Sequence, residues 1–167
     1  MICRLAQAED KDSILEIIEG AQAYFKEAGI DQWQNGYPNR ETIEEDIKLK
    51  KAYVLVENEK VIATAYLSFN DESTYDVIYE GEWISAASYA VIHRVGVAST
   101  YKGNGIAGIL FEKLTPLCKE KGAKSIKIDT HEDNKSMQRF LEKHGFKYCG
   151  IIYLEDGHKR FAYEKLL

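Results

Sequence analysis

Apolar residues recur along this chain with two periods, and each change of period marks a change of element. Ile2–Ala6 reads as a short strand. Ile14, Ile17, Ile18, Ala21, Phe25 and Ala28 then return every three or four positions, the spacing that lines one face of a helix. Asp10 stands where its N-cap is needed and Gly29 where it should stop. Residues Ile30–Asn39 break the period with Trp33, Gly36, Tyr37 and Pro38, an aromatic loop, before Asn39 caps a second helix built on Ile43 and Ile47. Two strands follow, Ala52–Glu57 and Val61–Phe69, around a turn at Asn58-Glu59-Lys60.

From Asn70 to Ser88 the pattern dissolves into polar and aromatic residues, with a strand-like piece near Val77–Tyr79. Tyr89–Val97 is rich in β-branched residues and predicts a strand. A glycine loop, Ala98–Gly105, leads to a helix over Ile106–Lys121, in which Pro116 removes one backbone hydrogen bond and should kink the helix. Ser125–Asp129 is a strand and Asn134–His144 a helix closed by Gly145. Phe146–Leu154 and Arg160–Glu164 form a last hairpin around Asp156-Gly157.

Composition adds limits. At 167 residues, with two prolines and 45% hydrophobic residues, the chain predicts a single domain over residues 1–167 that needs no staples. A net charge of −5 argues against a nucleic-acid or membrane-surface partner, but not against a phosphate bound at one helix N-terminus. Cys3, Cys118 and Cys149 follow no metal-ligand spacing and read as small buried hydrophobes, so no metal is expected. Glu9, Asp10 and Lys11 interrupt before any apolar leader forms, and no run approaches a membrane span, so a cytoplasmic protein is expected.

Gly103-Asn104-Gly105-Ile106-Ala107-Gly108 spells G-x-G-x-x-G between a strand and a helix, with Asp129 about 20 residues on. The physics would serve a dinucleotide: glycines admit a pyrophosphate to the backbone, and the helix end offers free N–H groups. Three features count against a dinucleotide fold. Too little chain follows, five residues separate strand from glycine, and the last strands form an antiparallel hairpin.

The same residues resemble the GNAT N-acetyltransferase superfamily. Lys102-Gly103-Asn104-Gly105-Ile106-Ala107 is similar to its pyrophosphate motif, Q/R-x-x-G-x-G/A, with Lys in first place. Asn134 to Phe146 resembles its N-x-x-A-x-x-F-Y-x-x-x-G-F segment, with Leu141 where a tyrosine often protonates the leaving thiolate. The resemblance implies an α/β acyl-CoA N-acyltransferase fold, a mostly antiparallel mixed sheet flanked by about four helices. It also implies acetyl-CoA as cosubstrate, held by Lys102, Gly103, Asn104, Gly105, Ile106 and Ala107 at the pyrophosphate and by backbone near Val95 and Val97 at the pantetheine. Asn134 is similar to the residue that anchors coenzyme A at the fourth helix. The run Trp33–Pro38 and the pair His93-Arg94 are similar to a group of small bacterial members.

The acceptor implied is a primary amine on a small molecule, a polyamine, an amino-acid derivative or a peptide N-terminus, taken by a monomer or homodimer. An alkylammonium has a pKa near ~10, so only about a thousandth is nucleophilic at neutral pH and a base is needed. Histidine titrates in the useful range. His93, in the strand that should carry the thioester, is the first candidate and His131 the second. Strand alternation would put His93, Val95 and Val97 on one face and Arg94 and Gly96 on the other. His144 at a helix end and His158 in a turn read as surface residues. Without a tyrosine at position 141, Tyr148 or a water is left to protonate the thiolate. Trp33, Tyr37, Tyr75, Tyr79, Trp83 and Tyr89 suggest an aromatic acceptor pocket against whose faces a cationic amine could rest. Arg160 would hold an acceptor carboxylate or pair with acids on the sheet. A non-catalytic acyl-CoA sensor is the alternative reading.

Overall fold

A computed structural model describes all of residues 1–167. Seven strands form one mixed sheet: β1 Ile2–Leu5, β2 Ala52–Glu57, β3 Lys60–Phe69, β4 Tyr89–Val97, β5 Ser125–Thr130, β6 Lys147–Tyr153 and β7 Lys159–Leu166. Their order is β1-β2-β3-β4-β5-β7-β6. Four helices accompany them: α1 Lys11–Glu27, α2 Arg40–Lys48, α3 Ile106–Glu120 and α4 Lys135–Lys143. The alternating periods thus yield the expected elements to within one or two residues at most ends. The chain packs as two compact units, Met1–Leu67 with His93–Pro116, and Ser68–Ile92 with Leu117–Leu167, whose boundaries run inside β3, β4 and α3.

In the first unit, the apolar faces of α1 and α2 meet β2: Ile14, Ile18, Ile43, Ala52 and Val54 form one core with Ala6, and Trp33 packs against it. Asn58 and Glu59 both take positive φ, 48° and 65°. Such a two-residue turn twists with its strands, so β2 and β3 pair directly from Glu57 and Lys60. Asn39 caps α2 as expected, its Oδ1 accepting the Thr42 N–H at 3.0 Å. Asp10 differs. Its carboxylate accepts from Arg4 at 2.6 and 3.0 Å and from the Gln7 N–H at 2.7 Å, so an ion pair between β1 and a short 3-10 turn replaces the helix cap.

In the second unit β4 and β5 are parallel from Tyr89↔Ser125 to Val91↔Lys127, whereas β5, β7 and β6 are antiparallel. Tyr75, Val91, Ile152 and Ala162 make its core, with Trp83 and Tyr89 against them. Leu141, fully buried in α4, contributes an apolar anchor where a tyrosine hydroxyl would need a partner. The strand-like piece at Val77–Tyr79 is a single antiparallel bridge, Tyr79 with Ile151. Cys118 and Cys149 are buried and Cys3 half-buried, all as free thiols. No helix is long and apolar enough to cross a membrane, and no group of His, Cys, Asp or Glu is placed to hold a metal.

Candidate active site

The first unit carries an unbroken run from strand to helix N-terminus. β4 ends at Val97, the Ala98 N–H donates to the Ile62 carbonyl at 2.9 Å, and a 3-10 turn over Ser99–Tyr101 leads to Lys102. Gly103 and Gly105 then take φ of 81° and 73°, a conformation that L side chains rarely adopt. A Cβ built on either would meet nothing within 4 Å. The loop therefore presents bare backbone to open space directly before α3, whose first-turn amides have no intrahelical acceptor. A pyrophosphate fits this arrangement: amide donors, the positive end of a 15-residue helix, and the Lys102 ammonium 4.8 Å over the Tyr24 ring.

His93 lies upstream on β4, half-buried, its ring 5.9 Å from that of Tyr66. Strict alternation fails beside it. Arg94 has φ 50°, and its guanidinium also lies over Tyr66, 4.2 Å from the ring centre. The positive φ turns two successive side chains toward one ring, while Gly96 faces α1, where a Cβ would come within 2.7 Å of Ile17 Cγ2. Arg94 forks onto Asp46, Nε to Oδ2 and Nη2 to Oδ1 both at 2.8 Å, and donates from Nη1 to the Tyr37 hydroxyl. Burial pushes the Asp46 carboxyl above its usual range, opposed by the Arg94 charge and hydrogen bonds. Lys51 Nζ stands 5.6 Å over the same Tyr66 ring. Tyr37, Asp46, Lys51, Tyr66, His93 and Arg94 are thus one cluster, of which the sequence offers Tyr37 and His93 as site residues and Arg94 only as the neighbour of His93. An acid at position 46 beside Ile43 and Ile47, on the apolar stripe of α2, was the available signal for the rest.

The second unit uses its aromatic residues differently from the pocket expected. Tyr75 is buried and donates to Asp129 Oδ2 at 2.7 Å; its phenol is raised well above the ordinary range, first by burial and then by the Asp129 charge. Trp83 Nε1 donates to the Tyr75 carbonyl at 2.8 Å. Lys127 is buried with its ammonium 4.4 Å over Trp83 and 4.2 Å over Tyr89, and burial pulls it below the ordinary lysine range. Glu164, wholly buried, accepts from the Ile84 and Ser85 amides at 2.6 and 3.3 Å. Trp33 in the first unit likewise belongs to the core, edge-on to Phe25.

The remaining candidates take these places. Arg160 is buried, with Nε 3.9 Å from Asp129 Oδ1, and so takes the ion pair on the sheet rather than an acceptor carboxylate. His131 Nδ1 accepts the Asp133 N–H at 3.1 Å. That nitrogen's lone pair is therefore engaged by the backbone. Tyr148 sits on strand β6, which ends the sheet order. It packs edge-on to Phe161 and Tyr163. Asn134 is buried and caps α4, its Oδ1 accepting the Met137 N–H at 3.1 Å. His144 Nδ1 lies 2.8 Å from the Phe140 carbonyl, and His158 occupies the exposed hairpin turn.

Known proteins share this architecture. Residues 15–146 match the model of the acetyltransferase (GNAT) family. A GNAT-family acetyltransferase from Streptococcus agalactiae 2603 is 36% identical over 99% of this chain and 95% of its own, with a TM-score of 0.89. A putative acetyltransferase from Staphylococcus aureus MU50 is 30% identical over 99% of both chains, with a TM-score of 0.74. The Thermoplasma acidophilum PaiA N-acetyltransferase, solved with coenzyme A, shares the fold at 17% identity, 99% and 98% coverage and a TM-score of 0.73. A search of curated proteins finds no match. With the glycine loop, the mixed sheet and the family match in agreement, the chain belongs to the GNAT family and is an acetyl-CoA-dependent N-acetyltransferase.

Proposed function

We propose that residues 1–167 act as one N-acetyltransferase domain that moves the acetyl group of acetyl-CoA to a primary amine by direct attack in a ternary complex. The observation that carries this reading is one continuous run, residues 93–107, holding a histidine, a strand end and the open glycine loop before α3. Gly103, Gly105, Ile106 and Ala107 offer amides to the pyrophosphate, Asn104 belongs to the same loop, and Lys102 adds its charge; Val95 and Val97 offer backbone to the pantetheine. Asn134, which caps α4, is the residue to which the resemblance gives a coenzyme A contact. His93 takes the amine's proton, directly or through one water. Water returns a proton to the thiolate, which a thiol of ordinary pKa near ~8.5 tolerates. The acceptor is a small molecule or peptide, with no nucleic acid or membrane involved, and the protein works as a monomer or homodimer in the cytoplasm.

Thiol release from acetyl-CoA over a panel of primary amines tests the reading. Wild type should release thiol. Lys102→Glu should weaken acetyl-CoA binding by about tenfold or more, since it replaces a charge-assisted contact with repulsion. His93→Ala should lower kcat about 10²–10⁴-fold with acetyl-CoA affinity unchanged. Tight acetyl-CoA binding without thiol release for any amine would favour an acyl-CoA sensor. A His93→Ala protein that keeps its kcat would remove the base.

A further inference from the structure

Lys102 opens the glycine loop, and the fold holds it at both ends. Its N–H donates to the Ser99 carbonyl at 3.3 Å, so its backbone is set by the 3-10 turn before Gly103 departs from it. Its ammonium lies 4.8 Å over the ring of Tyr24 on α1, and that ring is the one partner the charge has. Both residues belong to the first unit. The chain offers 27 acids, yet this cation rests on an aromatic face instead of a carboxylate.

The choice of partner matters for an anion. A ring face attracts a cation without taking any of its hydrogens, so the ammonium keeps its three N–H donors. A carboxylate in the same place would accept from it and compete with a phosphate for its charge. The ring is itself well seated. Tyr24 is 44% exposed, but it stands 5.7 Å from the buried Phe25 ring, which meets Trp33 edge-on at 5.5 Å, and Trp33 packs against the core of the unit. The resembled motif has Gln or Arg where this chain has Lys102. Lysine is a compact charge on a flexible stem, and its side chain has among the most rotamer freedom to lose when an anion fixes it. A ring that already holds the ammonium removes part of that loss.

We infer that Tyr24 is a positioning residue for the cosubstrate: its ring holds the Lys102 ammonium beside the glycine loop before acetyl-CoA arrives. This rests on the reading of residues 102–107 as the pyrophosphate loop. The effect passes through Lys102, so it belongs to acetyl-CoA affinity and not to the acetyl-transfer step.

Calorimetric titration with acetyl-CoA needs no acceptor and measures Kd for wild type, Tyr24→Phe, Tyr24→Leu, Lys102→Met and the Tyr24→Leu/Lys102→Met double variant. Lys102→Met should raise Kd about tenfold or more, the loss of one charge-assisted contact. Tyr24→Leu should raise it about twofold to fivefold, the size of an exposed cation–π contact. Tyr24→Phe keeps the ring face and should bind as wild type does. In the Lys102→Met background, Tyr24→Leu should have no further effect, because the ring then has nothing to position. Lost helix packing would weaken binding with or without the lysine, so an equal effect of Tyr24→Leu in both backgrounds overturns the inference. So does an unchanged Kd in Tyr24→Leu, and so does a lower one, the mark of a ring that competes for the ammonium. All three results leave the loop reading standing while Lys102→Met weakens binding. If Lys102→Met binds acetyl-CoA as wild type does, the loop reading fails by itself and the inference falls with it.

Discussion

Arg94 holds its guanidinium on a carboxylate that has almost no access to water; the side chains are 12% and 10% exposed. Removing the arginine leaves that carboxylate buried without its fork. Arg94→Met should therefore lower stability by about 3–5 kcal/mol, the usual cost of orphaning a buried charge. Adding Asp46→Leu should recover most of the loss, because an apolar pair of similar volume satisfies the site without charge. Chemical denaturation of the single and double variants measures both numbers. At this scale the sequence is legible only in part. His93 is found because its residue type and strand suffice. Asp46 is not, because its partner lies 48 positions away and only the fold brings them together. Tyr75 and Arg160 read as acceptor contacts because tyrosine and arginine have the same appearance in sequence whether they face a ligand or the Asp129 carboxylate.

The segment between β3 and β4 shows the same division at the scale of an element. Its aromatic content is visible in sequence, but its course is fixed by contacts that no periodicity announces. Trp83 ties to Tyr75, the Ile84 and Ser85 amides to Glu164, and Tyr79 to Ile151. Gly81 makes that course possible: a Cβ there would stand 1.9 Å from the Cys149 carbonyl oxygen, a backbone atom that cannot swing aside. Gly81→Ala should cost about 1–3 kcal/mol through overpacking. Amide exchange at Tyr79 and Ile151 should quicken more than the global loss alone explains. The regular elements were readable because burial imposes a period of two or of 3.6 on their sequences. The break at Arg94 was not, since no residue type in Tyr89–Val97 signals a positive φ there. It is the one place where strand alternation misassigns the candidate site.

For the molecule as a whole, pH dependence follows from one acid that is tied early in the chain. Hydrogen bonds from Arg4 hold the Asp10 carboxyl below its usual range, against the opposing effect of burial. A depressed carboxyl contributes stability that is complete above the unfolded pKa, near ~4, and is lost as pH falls through the lower folded value. The Tm of wild type should exceed that of Asp10→Asn at pH 7, and the gap should close as pH drops below about 4. A gap that stays constant into acid would assign the effect of Asp10→Asn to packing instead of charge.

The bridge between Tyr79 and Ile151 has a consequence for how the protein keeps to itself. Strand β6 ends the sheet order, and Ile151 turns both its N–H and its carbonyl to the free side, where Tyr79 meets each at 2.8 Å. An uncovered strand edge is a template on which a second chain can add. The loop residue closes that template at its middle, and β1, at the other end of the order, has only four residues to offer. One outer edge of the sheet is thereby closed at Ile151 and the other kept short. The same 70–88 segment that packs against Lys127 and Glu164 thus also occupies the outer edge of β6.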